Sequence, residues 1–165
     1  MSDSNSFSIR PATAHDVPLI LSLIKELAEY EKLSHAVVAT EDDLHQSLFG
    51  ARPAAEVVIG YEGSEPVGYA LFFSTFSTFV GKPGIYLEDL YVRPVARRKG
   101  YGRALLLHLA QLARERGCGR LEWSVLDWNE PSINFYKSLG AVPLDDWTVF
   151  RLDSTALEAL VSDPR

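Results

Sequence analysis

The segment Arg97-Arg98-Lys99-Gly100-Tyr101-Gly102 narrows what this chain can fold into more than any other stretch. It stands between an apolar run with strand character, Ile85 to Val92, and a helical pattern in which Leu105, Leu106, Leu109, Ala110 and Ala113 share one broad face. A further strand pattern, Leu121 to Leu126, follows the helix stop at Gly117. Strand, helix and strand in that order predict a parallel pair joined by a right-handed crossover. The connecting loop suits an anion. The first N–H groups of a helix lack internal partners, and the helix dipole makes that end positive. Gly100 and Gly102 carry no Cβ, so a pyrophosphate can approach the backbone, and Arg97, Arg98 and Lys99 add charge. The Lys-Ser/Thr ending of a P-loop and the G-x-G-x-x-G spacing of a dinucleotide fold are both missing.

The flanking segments extend this into a mixed α/β architecture. Phe7 to Arg10 alternates as a short strand that Pro11 ends. Thr13-x-x-Asp16 resembles a capping box, and Leu19, Ile20, Leu23, Ile24, Leu27 and Ala28 recur at helical spacing to about Tyr30. Thr40-x-x-Asp43 opens a second helix that stops at Gly50. Val57 to Tyr61 and Val67 to Thr75 read as strands around a turn at Gly63. Past residue 126, Asn129 caps a short helix beginning at Pro131 and ending at Gly140. Val149 to Leu152 reads as a last strand, and Thr155 to Val161 as a terminal helical turn. The predicted order, βααβββαβαβ, makes a mixed, mostly antiparallel sheet with helices on both faces.

With 165 residues and no linker-like tract, one domain over residues 1–165 is expected. The net charge of −6 argues against a nucleic-acid binder and suits a cationic small molecule. Met1 to Ser8 is polar, without the apolar centre of a secretory signal, and no apolar run is long enough to span a bilayer. A single cysteine, Cys118 in a Gly-Cys-Gly turn, excludes an internal disulfide. These features lead us to expect a cytoplasmic protein. His15, His35, His45 and His108 are scattered without metal-ligand spacing, so no metal site is expected.

Arg97-x-x-Gly100-x-Gly102 matches the Q/R-x-x-G-x-G/A signature of the GNAT N-acetyltransferases. Four further blocks resemble the spermidine/spermine acetyltransferases and their thialysine-acetylating relatives in that family. They are Ile9-Arg10-Pro11-Ala12-Thr13, Leu23 to Ala28, Tyr86-Leu87-Glu88-Asp89, and Trp128 to Tyr136, and they keep their order along nearly the whole chain. The resemblance implies acetyl-CoA as cosubstrate, no metal, and a homodimer. It implies a splayed central parallel strand pair whose backbone receives the pantetheine arm at Leu90, Tyr91 and Val92. The pyrophosphate would lie around Arg98, Lys99, Gly100, Tyr101, Gly102 and Arg103 beside Arg97, and Asn129, Glu130, Pro131 and Ser132 would line the cofactor's other side.

In that family a neutral amine attacks the thioester carbonyl directly, which needs no enzyme nucleophile. An alkyl amine of pKa about 10 must first lose a proton, and the departing thiolate needs a donor. By position, Tyr136 corresponds to the family's general acid, and a phenol suits the task because it stays protonated near neutrality. Glu88 corresponds to the family carboxylate beside the amine. It acts as a base only through water or with a raised pKa, or else it holds the cation. Tyr30, Glu31, Ser77, Thr78 and Asp89 match substrate-side positions. Polyamine enzymes carry Asp-Pro-Trp where this chain has Ser77-Thr78-Phe79, which favours a lysine-like diamino acid over spermine. The competing readings are a polyamine acetyltransferase, a protein N-acetyltransferase, and an acetyl-CoA-binding sensor without turnover.

Overall fold

A computed structural model describes residues 6–163, so most of the polar start Met1 to Ser8 lies outside the described residues. The described chain forms two compact units divided between residues 126 and 127. No described helix is long and apolar enough to cross a membrane.

The first unit holds a five-stranded sheet in the order β1-β2-β3-β4-β5. Its strands are β1 (Phe7–Pro11), β2 (Glu56–Glu62), β3 (Glu65–Ser77), β4 (Lys82–Val92) and β5 (Leu121–Trp123). The first four pair antiparallel, and β4 pairs β5 in parallel. Three helices belong to this unit: α1 (Val17–Tyr30), α2 (Glu41–Phe49) and α3 (Tyr101–Glu115). The Thr13–Asp16 capping box opens a 3-10 turn, Ala14–Asp16, that leads into α1. Its counterpart at Thr40 starts α2 directly, with Asp43 N–H donating to Thr40 Oγ1 at 3.2 Å and Thr40 N–H to Asp43 Oδ2 at 2.8 Å.

Two apolar layers bury the sheet. Ile20, Leu23 and Leu27 of α1 pack with Leu48 of α2 against Val57, Ile59, Tyr69 and Tyr91. The buried stripe of α3 is Leu105, Leu106, Leu109 and Ala113, the pattern expected from sequence. A bulge lets β4 serve both layers. Leu71 stands opposite Asp89 but Phe72 stands opposite Leu87, so Glu88 has no cross-strand partner. One extra residue reverses which face later side chains take. Leu87 is therefore buried beside Phe72, whereas Asp89 and Tyr91 turn to the face shared with Leu71 and Tyr69.

The parallel pair is shorter than expected and stands at the sheet's edge. Its ladder runs only from Ile85↔Leu121 to Leu87↔Trp123. Beyond it, the β5 side of Glu88 to Val92 has no strand partner among the described residues. The second unit carries α4 (Glu130–Ser138) and α5 (Ser154–Ser162). Asn129 caps α4 by accepting from Ser132 N–H at 3.4 Å, and Asp153 caps α5 by accepting from Ala156 N–H at 2.8 Å. The strand expected over Val149 to Leu152 does not form. Val149 and Phe150 are almost wholly exposed. Their β propensity has no ladder to join, and a strand is stabilised by its partner more than by its own composition.

Candidate active site

The loop between β4 and α3 is shaped for an anion by its backbone. Arg98 and Gly100 both take left-handed conformations, at φ 64° and 83°. For an arginine this is an uncommon, strained choice, and such positions turn peptide N–H groups inward to form anion-binding concavities. The first helical bond of α3 runs from Ala104 N–H to Gly100 O at 3.0 Å, so the N–H groups of Tyr101, Gly102 and Arg103 have no helical partner. A Cβ built at Gly102 would meet only Val92 Cγ2, at 3.8 Å. Open space therefore lies above the first turn. The loop and the unpaired edge of Leu90, Tyr91 and Val92 are continuous in sequence. Tyr91 offers that edge only its backbone, since its ring is buried in the α1 layer.

The cations of the loop divide into two kinds. Lys99 Nζ reaches Glu62 at 2.8 Å, and Tyr101 donates to the same carboxylate at 2.8 Å while its ring stacks on Phe7 with centroids 4.1 Å apart. Both hydrogen bonds hold the Glu62 carboxyl below its ordinary range. Arg97 turns back from the loop: its Nε donates to Val92 O at 2.9 Å and its guanidinium covers the Tyr30 ring at 4.8 Å. These side chains brace the loop. Arg98 and Arg103 are exposed and make no ion pair with the described residues. Of the expected phosphate-side cations, these two have charge to spare.

At the C-terminal end of α1 the local electrostatics run against helix preference. The last turn has no basic residue, although that end carries the negative pole of the dipole. Instead Glu29 and Glu31 stand there. Lys32, in the left-handed region at φ 61°, and a bond from Leu33 N–H to Ala28 O at 2.8 Å close the helix and fix where Glu31 falls. Burial raises the Glu31 carboxyl, and the nearby Asp89 raises it further. Asp89 is itself raised by burial and by neighbouring Glu88, against the lowering effect of a hydrogen bond from Tyr69. Tyr69 Oη donates to Asp89 Oδ2 at 2.8 Å, and the phenol's own pKa is driven far up by burial and by Asp89. Glu88, at the bulge, is exposed. The result is a partly buried acidic cluster whose field favours a positive group.

The structure thus gathers Glu31 and Asp89, with Tyr30 and Glu88 adjacent to them in sequence. It does not bring Ser77 and Thr78 to them. Ser77 pairs with Lys82 at the far end of β4, six residues before Glu88, or about 20 Å along the strand. Ser77 Oγ accepts from Val80 N–H at 3.2 Å and so shapes the hairpin turn, while Thr78 is exposed. Tyr69 went unrecognised in the sequence because its position reads as an ordinary apolar strand residue. In the second unit, Asn129 is buried at the start of α4, with Glu130, Pro131 and Ser132 forming the first turn. Tyr136 lies on the last turns of that helix, half-buried, with its ring 5.4 Å from that of Phe135. No group of metal-ligating side chains occurs among the described residues.

Comparison with known proteins identifies the family. The acetyltransferase (GNAT) family model matches residues 21–141. A thialysine N-epsilon-acetyltransferase of Caenorhabditis elegans is 38% identical over 96% of this chain and 99% of its own length. An L-ornithine N5-acetyltransferase of Arabidopsis thaliana is 34% identical over 92% of this chain and 86% of its own. Among solved structures, an integron cassette protein from the V. cholerae mobile metagenome superposes with a TM-score of 0.81 at 27% identity, covering 96% of this chain and 99% of that one.

Proposed function

The chain belongs to the acetyltransferase (GNAT) family, and from that premise we propose that it acetylates the side-chain amine of a lysine-like diamino acid, with thialysine as the representative substrate. It is an N-acetyltransferase. The observation that carries the choice of a cationic amine is the convergence of Glu31 and Asp89 at the negative end of α1. Relatives named for thialysine and L-ornithine support a diamino acid. The family model runs across the division at residue 126, which supports both units acting as one acetyltransferase domain. The family resemblance supports a homodimer.

The β4–α3 loop fits acetyl-CoA, because the space above Gly102 and the N–H groups of Tyr101 to Arg103 match a pyrophosphate. When bound, acetyl-CoA supplies the thioester whose acetyl group passes to the amine. Arg98 and Arg103 hold phosphate charge, and the β5-side edge of Leu90 to Val92 offers backbone groups to the pantetheine arm. Glu31 and Asp89 bind the cationic substrate and orient its amine. Glu88 takes the ammonium proton through water or secures the cation. Tyr136 keeps its phenolic proton until the sulfur departs and releases it there. By family resemblance, Asn129, Glu130, Pro131 and Ser132 also serve cofactor binding.

The screen that tests the substrate class is acetyl-CoA-dependent thiol release with thialysine, lysine, ornithine, spermidine, putrescine and spermine. Thialysine or ornithine is expected to have a higher kcat/KM than spermine. A specificity constant favouring spermine would refute the diamino-acid reading. The division of loop cations is testable in parallel by calorimetry. Arg98→Ala and Arg103→Ala should each weaken acetyl-CoA binding severalfold, with a reduced salt dependence. Lys99→Ala, already engaged by Glu62, should weaken it less.

A further inference from the structure

Tyr69 lies outside the motif blocks that the sequence shares with its family, yet its surroundings are unusual for a core aromatic. The residue is fully buried, and its ring packs among Ile20, Leu23, Leu27 and Ile59. A phenylalanine would fill that space equally well. What the tyrosine adds is one hydroxyl, and it points at Asp89 Oδ2, 2.8 Å away. The contact depends on the bulge at Glu88. Without the extra residue, Asp89 would take the opposite face of β4 and lie out of reach.

We propose that Tyr69 is a positioning residue for the amine site: its buried hydroxyl holds the Asp89 carboxylate in one orientation and keeps it ionised to receive the cationic substrate. The inference rests on the reading of Asp89 as a substrate-side group. The groups facing Asp89 are Glu31 from the end of α1, Glu88 from β4 itself and Tyr69 from β3, with Tyr91 beside Tyr69. Burial and the neighbouring Glu88 favour a neutral Asp89. The Tyr69 hydrogen bond opposes them, because a donor to a carboxylate stabilises the charged form. Tyr69 cannot exchange roles with its partner, since burial, Asp89 and Glu31 suppress ionisation of the phenol.

Removing the hydroxyl removes a donor to the ionised form, so the Asp89 pKa rises. A hydrogen bond to a charged group is worth a shift of about one unit or more. The direct test is a carbon-13 NMR titration of side-chain carboxyls in the wild type and Tyr69→Phe, with the Asp89 resonance assigned from Asp89→Asn. An Asp89 titration moved up by about one unit supports the proposal, and an unmoved one overturns it. In steady-state kinetics with thialysine, the acidic limb of kcat/KM should move up by the same amount in Tyr69→Phe. The loss below the limb should be about tenfold, fall mainly on the amine KM and recover at higher pH. A packing defect would lower activity at every pH.

Should Tyr69→Phe not fold, 3-fluorotyrosine at position 69 keeps the shape and makes the phenol a stronger donor. It should move the Asp89 titration downward, and an upward or absent shift would overturn the proposal. Asp89→Asn separates the two levels of inference. If it leaves amine kcat/KM unchanged, the substrate-side reading of Asp89 fails and the positioning role with it. If it is impaired while Tyr69→Phe leaves the Asp89 titration in place, only the positioning role fails.

Discussion

Tyr136→Phe is expected to lower kcat by about 10²–10⁴-fold, the usual worth of a positioned general acid. The substitution removes one oxygen and keeps the ring, so the contact with Phe135 on α4 persists and the helix should retain its fold. Acetyl-CoA affinity should change little, because the hydroxyl matters most as charge develops on the departing sulfur. The loss should therefore appear in kcat and in kcat/KM together, which marks an interaction made in the transition state. If the high-pH limb of the rate profile reports this phenol, that limb should change in the variant. Calorimetry of acetyl-CoA binding, run beside saturating kinetics, separates the two effects. Turnover close to wild type at saturating amine and acetyl-CoA would remove Tyr136 from the chemistry.

Gly102→Val carries the other large effect, on binding. A Cβ at this position approaches nothing nearer than Val92 Cγ2, and the backbone there is not left-handed. Valine in a helical turn costs no more than glycine does, so stability should move little. Its branched side chain, however, fills the space through which a pyrophosphate reaches the N–H groups of the first turn. Losing one charge-assisted hydrogen bond costs about 1.5–3 kcal/mol, or roughly ten- to a hundredfold in affinity. Calorimetry showing wild-type acetyl-CoA affinity in a folded variant would end the assignment of this loop to the pyrophosphate. Gly100 is the poorer probe, because at φ 83° any other residue would strain the loop itself.

The sequence by itself was enough for the β4–loop–α3 unit, the capped helices and the candidate anion site. Each is written within one contiguous stretch. Apolar spacing in residues 101–115 sets the buried face of α3, and Gly100 with Gly102 opens the helix start to a ligand. The Thr40 and Asn129 caps depend only on residues three positions away. The motif match at Glu88 and Tyr136 was legible for the same reason.

Other features depended on pairings between distant residues. Lys99 is engaged by Glu62 and Arg97 by Tyr30, so only the folded chain reveals which cations are already engaged. Tyr69 and Asp89 are twenty residues apart, and a single bulge decides that they meet. Val149 to Leu152 shows the converse: its local pattern reads as a strand, yet no ladder receives it. Helix faces and caps follow from neighbours a few residues away, and local sequence records them. Ion pairing, burial of a carboxylate and strand pairing depend on what the rest of the chain brings alongside, and only the tertiary structure decides that.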